Sequence, residues 1–321
     1  IHAGLYYPPD SWKARLCAAG REALYARCAR HGIPHRRLGK LVVAVTHDEV
    51  ARLEALCANG TENGAPGLVL LDAAALRARE PALRAVAALW SPATGIVDAS
   101  ALCASFAAEA ETYGALVALR TEVVAIEAEP GGYRVEAIDA TGERSRFACA
   151  AVVNAAGLGA DALAERAGFD VEALGYRIRP CKGDYFALAP RAPLHLATLV
   201  YPLPAGAGLG VHATLDLAGR IRFGPDAEYV LRRDYAVDPA KAGAFAAAVQ
   251  RYLPALRPEW LVPDQAGIRP KLAGPGEGFR DFVVAEESRA GFPGFVNCLG
   301  IESPGLTAAP AIAARVVELL R

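Results

Sequence analysis

Methionine is absent from this 321-residue chain, which begins at Ile1. A gene product normally opens on methionine, so further sequence is expected upstream. Runs of about 20 apolar residues are also lacking, which argues against a membrane-spanning helix. Neither sign of charge dominates: 34 Lys and Arg stand against 35 Asp and Glu. That balance argues against a nucleic-acid binder held by charge. The cysteines (Cys17, Cys28, Cys57, Cys103, Cys149, Cys181, Cys298) are scattered, with no Cys-x-x-Cys pair. They read as small core residues in a reducing, cytoplasmic setting, and no metal site or disulfide frame is expected.

What is present supports a large core and roughly two domains. Asp10 or Ser11 can cap a helix to about Arg30, with Gly32 as its stop. Strand patterns fall at Lys40–Val45, Val69–Leu71, Val117–Leu119, Glu122–Ala128, Tyr133–Ile138 and Val152–Asn154. Helices are expected over 48–58, 72–79, 98–113, 160–167 and 238–252. Residues 176–223 read mostly as strand, with turns at Gly183 and across Gly206–Gly210. Ile268 opens a return to strands. Helix-rich stretches thus alternate with a β-rich middle, which predicts two domains with several chain crossings.

Three glycine runs mimic a dinucleotide fingerprint. Gly206-x-Gly208-x-Gly210 lies between strand patterns and reads as a hairpin turn. Gly274-x-Gly276-x-Gly278 precedes no helix and reads as a surface loop. Gly157-Leu158-Gly159-Ala160-Asp161-Ala162 follows a buried strand and opens a helix. The acid that should follow about 20 residues on is represented only by Asp184, inside an expected β-turn. An independent NAD site there competes with a turn that borders a nucleotide held mainly elsewhere.

The most informative stretch is Asn297 to Thr307, where a strand pattern over Gly294–Leu299 runs through a Gly-Pro loop into the final helix. A helix start reached this way presents backbone N–H groups and a favourable dipole to an anion. Thr307 reads as the N-cap, with Pro310 in the first turn. A capped helix and nothing more is the plain alternative.

Several segments together resemble the flavin-dependent family of glycine oxidase, D-amino-acid oxidase, sarcosine oxidase and glycerol-3-phosphate dehydrogenase. They are Ile1–Tyr7, Asn154–Gly157, Ala266–Lys271 and Gly300–Thr307. Within that family, His2–Pro9, Leu38–Leu41, Ser91–Asp98, Cys181–Phe186 and Gly300–Thr307 are similar to the L-2-hydroxyglutarate dehydrogenase/oxidase branch. The family opens with a βαβ unit that carries Gly-x-Gly-x-x-Gly and a ribose-binding acid, and neither occurs here. By resemblance, roughly 45 residues precede Ile1 in the intact protein. The resemblance implies an α/β (mixed α+β) fold. A Rossmann-like FAD-binding domain, without its first βαβ unit, would comprise 1–37, 91–173 and 275–321. A β-rich substrate domain with a large mixed sheet would comprise 38–90 and 174–274.

The implied chemistry is oxidation of a 2-hydroxy acid, L-2-hydroxyglutarate to 2-oxoglutarate, with hydride passing to FAD and then electrons to oxygen or a quinone. A quinone acceptor would bring peripheral contact with the inner membrane. By resemblance Val123 and Val124 clamp the adenine, and Ala155, Ala156 and Gly157 approach the diphosphate–ribose. Gly300, Ile301, Gly305, Leu306 and Thr307 cradle the flavin. Arg269 matches the family arginine that pairs with the substrate carboxylate, a task suited to a planar fork. Lys271 projects to the same side of a strand. Lys271 or Lys182 can meet a second carboxylate, and Tyr6, Tyr185 and Tyr201 can line the pocket. His212 and His2 are both candidates for the base; a lone histidine is more often structural. The alternatives are an amine or amino-acid oxidase on the same fold, and a non-catalytic fragment.

Overall fold

The computed structural model describes residues 1–204 and 210–321. In chain order the elements are α1 (Trp12–His31), β1 (His35–Arg36), β2 (Lys40–Ala44), α2 (Val50–Glu62), β3 (Val69–Asp72), α3 (Ala73–Arg79), β4 (Ala87–Ser91), β5 (Ile96–Val97) and α4 (Ala99–Thr112). Then follow β6 (Glu122–Glu129), β7 (Gly132–Ile138), β8 (Arg144–Cys149), β9 (Val152–Asn154), α5 (Ala160–Arg166), β10 (Arg179–Leu188), β11 (Leu199–Pro202), β12 (His212–Leu215), β13 (Ile221–Gly224) and β14 (Glu228–Tyr229). Helix α6 (Ala242–Gln250), β15 (Leu261–Lys271), β16 (Val283–Glu287), β17 (Phe292–Leu299) and α7 (Gly305–Leu319) complete the chain.

Local chemistry explains several boundaries. Ser11 caps α1 by accepting from the Ala14 N–H, and Gly32 ends it. Asp72 and Asp98 cap α3 and α4 in the same way. These side chains satisfy amide donors that a helix start leaves unpaired.

The large sheet has nine strands, in the order β14-β10-β13-β12-β11-β2-β4-β3, with β15 also paired to β10. Its main core gathers Leu41, Val43, Phe186, Val200, Phe223, Phe245 and Tyr252. A separate three-stranded sheet, β16-β17-β9, runs β17 parallel to β9. Phe282, Val284, Val296 and Cys298 of this layer pack on Ala308, Ile312 and Val316 of α7. The meander β6-β7-β8 stands beside it.

Three expectations are corrected, and one strand was not expected. Val117–Leu119 is not a strand, and Leu116 and Leu119 are exposed. Strand β8 carries no alternating apolar pattern and escapes sequence reading. Gly183 is not at a turn: it sits inside β10, opposite Gly267 of β15. A Cβ there would lie 2.6 Å from Pro225 Cβ and 2.9 Å from Arg269 Nη2, so the glycine marks close packing. Thr307 is not the N-cap, because α7 begins at Gly305 with Pro304 as the cap residue and Pro310 inside the helix. Of the glycine runs, Gly206 and Gly208 lie outside the described residues, and Gly274–Gly278 is loop as expected. All seven cysteines are free thiols.

Candidate active site

The parallel pair β9–β17 places two loops side by side. Asn297 and Asn154 stand in register at its C-terminal end. The Asn154 amide donates to Asn297 Oδ1 at 2.9 Å and to the Ala160 carbonyl at 2.8 Å, which fixes both loop exits. Ala155, Ala156 and Gly157 leave β9 there with exposed backbones, and Gly300–Pro304 leaves β17. Gly300 takes φ +66°, a left-handed conformation that glycine adopts without strain. A Cβ on it would meet Leu272 Cδ1 at 2.7 Å. Helix α7 has no side-chain cap; its Gly305 N–H donates to the Glu302 carbonyl, and the N–H groups that follow and the helix dipole face this loop.

The N-terminal segment folds onto the same loop. The His2 N–H donates to Thr307 Oγ1 at 3.0 Å. The His2 Nε2 lies 3.3 Å from Ser303 Oγ, and Tyr7 OH lies 3.5 Å from the same oxygen. Burial first, and then the nearby Lys40 and His212, hold the His2 imidazole well below its ordinary pKa. His2 is therefore neutral near pH 7, the form that accepts a proton. His2 Nδ1 and Tyr6 OH are buried with no hydrogen-bond partner among the described residues.

His212 is buried on β12 and stacks on Tyr201 of β11, ring centroids 3.5 Å apart. Lys40 opens β2, beside β11. Its Nζ rests 4.7 Å from the Tyr6 ring centroid and 4.6 Å from that of Tyr201. Burial lowers the Lys40 ammonium to about 7. Sequence reading did not single out Lys40. The available signal was a lysine heading Lys-Leu-Val-Val-Ala, a strand buried at every position. Tyr185 on β10 faces Tyr201 electrostatically, and burial raises the pKa of both phenols.

The cations expected to read substrate are mostly engaged with protein. Arg269 donates through Nε to the Cys181 carbonyl at 3.2 Å. Its Nη2 donates to the carbonyls of Lys182 at 2.9 Å and Asp226 at 2.6 Å. Among the described residues, Nη1 alone of its nitrogens has no hydrogen-bond partner. Lys182 turns to the Ala236 carbonyl and to Asp184 Oδ1 at 3.3 Å. Asp184 is fully buried and also pairs with Lys241 Nζ at 2.8 Å, so it is not placed as a ribose acid for Gly157–Ala162. Lys271 Nζ binds Glu302 at 3.1 Å, and Lys13 Nζ binds the same carboxylate at 2.9 Å. Glu302 is thus oriented by two lysines, and the trio leaves a net positive charge beside the α7 loop. Val123 accepts from Arg166 Nη1 at 2.6 Å. Val124 occupies an irregularity in the β6–β7 register. Both valines are half-buried.

Open α/β sheets bind nucleotide cofactors in the crevice outside the carboxyl ends of parallel strands, where these loops converge. In class, the fold and site are those of a cofactor-dependent oxidoreductase. The chain belongs to the DAO family, FAD dependent oxidoreductase, whose profile matches residues 1–319. It is 37% identical to the mitochondrial L-2-hydroxyglutarate dehydrogenase of Arabidopsis thaliana, across 99% of this chain and 73% of that protein. It is 30% identical to the L-2-hydroxyglutarate dehydrogenase of Salmonella houtenae, across 99% of this chain and 81% of that one. With the human mitochondrial enzyme of that name it shares 36% identity over 73% of this chain and 52% of the relative. Among solved structures, an FAD-bound L-α-glycerophosphate oxidase from Mycoplasma pneumoniae superposes with TM-score 0.85 at 26% identity, over 99% of this chain and 82% of that one. FAD is the cofactor of this family.

The residues present fit that group. An uncapped helix start and a net positive Lys13–Glu302–Lys271 trio flank one loop, and His2, whose buried Nδ1 has no partner among the described residues, rests on it. The helix start and the trio favour an anionic ring edge. Among the described residues, no helix is long and apolar enough to cross a membrane, and no His/Cys/Asp/Glu group is placed to hold a metal.

Proposed function

We propose that this chain carries the catalytic and substrate-binding machinery of an FAD-dependent 2-hydroxy-acid dehydrogenase, acting on L-2-hydroxyglutarate to give 2-oxoglutarate. The observation that carries it is the neutral His2, tethered to the α7 loop through Ser303 and Thr307. Bound FAD supplies the acceptor for the hydride from the substrate Cα. Donation from His2 Nε2–H to Ser303 Oγ leaves the Nδ1 lone pair to take the hydroxyl proton, so His2 is the base favoured over His212. His212, stacked on Tyr201, shapes the opposite wall. The remaining Nη1 face of Arg269 receives the carboxylate next to the reacting carbon. Val123, Val124, Ala155, Ala156 and Gly157 take the nucleotide half of FAD.

The test is turnover by the flavin-loaded protein with L-2-hydroxyglutarate and a dye acceptor, following 2-oxoglutarate. Oxidation of glycine or sarcosine in its place would overturn the reading in favour of an amine oxidase.

A further inference from the structure

We propose that Lys40, together with the Tyr6 hydroxyl, binds the second carboxylate of the substrate and so selects dicarboxylates; this rests on the 2-hydroxy-acid reading above. The other cations of the region already hold anions or carbonyls: Lys13 and Lys271 on Glu302, Lys182 on Asp184, and Arg269 on three carbonyls. Lys40 differs. It is 1% exposed, and among the described residues no carboxylate lies within ion-pair distance of its Nζ. Two tyrosine faces flank the ammonium. Cation–π contact offsets only part of the cost of burying a charge. An apolar side chain would fill the same volume without that cost, so the fold itself has no need of the ammonium.

A carboxylate placed there would supply what is missing. It would pair with Nζ and accept from Tyr6 OH, which is buried without a partner among the described residues. The His2 ring, whose Nδ1 also has no partner among the described residues, feels the charge of Lys40. One ligand with a hydroxyl at one end and a carboxylate at the other satisfies all three groups.

The groups facing Lys40 are His2 and Tyr6 from the N-terminal segment, Cys17 from α1 and Tyr201 from the large sheet, with His212 stacked on Tyr201. Lys40 is protonated below about 7 and neutral above it. Cys17 is pushed up to about 11, and His2 lies below its usual range. Dicarboxylate affinity should therefore fall as pH rises from 7 to 9, and monocarboxylate affinity should not.

Two measurements on the flavin-loaded enzyme test this. Lys40→Met should lower kcat/KM for L-2-hydroxyglutarate roughly 100-fold relative to L-2-hydroxyvalerate, and Lys40→Arg should recover part of the loss. Equal losses on both acids overturn the role. In the wild-type enzyme, inhibition by glutarate should weaken by about tenfold per pH unit above 7, while inhibition by butyrate stays flat. A glutarate constant independent of pH overturns the role even if the variant fails to fold. A wild-type enzyme that oxidises neither acid overturns the dehydrogenase reading and this role together.

Discussion

The imidazole of His2 faces the hydroxyl of Ser303 across 3.3 Å, although 301 residues separate them in sequence. In the tautomer protonated on Nε2 this contact is a donation to Ser303 Oγ, and Nδ1 keeps its lone pair.

His2→Asn should lower kcat by roughly 10²–10⁴, the range for a lost general base, with flavin content unchanged. Ser303→Ala should cost about tenfold, because the ring is then free to choose its tautomer. Because the His2 pKa is depressed, the acid-side decline of kcat/KM should lie below pH 6.5, separate from the loss above pH 7 expected of Lys40. An acid limb centred at or above 6.5 would remove His2 from the base role. His212→Ala should have a much smaller effect on turnover; equal mild losses for both would mean that neither acts alone.

Arg269→Lys replaces a fork that ties three carbonyls across β10, β15 and the turn before β14. Lysine can satisfy these in part only. The variant should raise KM about tenfold and lose roughly 1–3 kcal/mol of stability, while flavin absorbance per protein stays constant. An unchanged KM would take Arg269 out of the substrate site.

Lys40 also sets a pH dependence of folding. Its folded pKa, about 7, lies below the unfolded value of 10.5. Between these values the unfolded chain binds a proton that the folded one does not. Stability should therefore rise with pH across that window, by up to roughly 1.4 kcal/mol per unit from this group. Denaturant unfolding of wild type and Lys40→Met at pH 7 and pH 9 checks this: the wild-type rise should flatten in the variant.

The trio around Glu302 predicts non-additive losses. Either Lys13→Met or Lys271→Met leaves one lysine on the carboxylate and should cost about 1–2 kcal/mol. Removing both strands a nearly buried charge and should cost roughly 3–5 kcal/mol beyond the sum of side-chain packing changes. A double-mutant cycle by urea unfolding gives the coupling directly.

Much of the architecture was legible because local chemistry decided it. Ser11, Gly32, Asp72 and Asp98 mark helix ends through their own hydrogen bonds or conformation. The His2, Arg269 and Gly300–Thr307 segments were recognisable as a set. What sequence reading lost depends on contacts between distant segments. Gly183 looks like a turn residue until Pro225 and Arg269 are seen against it. Lys182 looks like a ligand for substrate until Asp184 and Ala236 are found around it. Lys40 looks like a strand-edge lysine until β11 and the Tyr6 segment enclose it.

The hydrogen bond from His2 to Thr307 also sets a timetable. A ribosome adding about 5–20 residues per second needs roughly 15–60 s to make the 305 residues between them. Throughout that interval the histidine segment waits without its partner, and its docking surface does not yet exist. This pairing therefore forms only once Thr307 has been made, however early the other layers close.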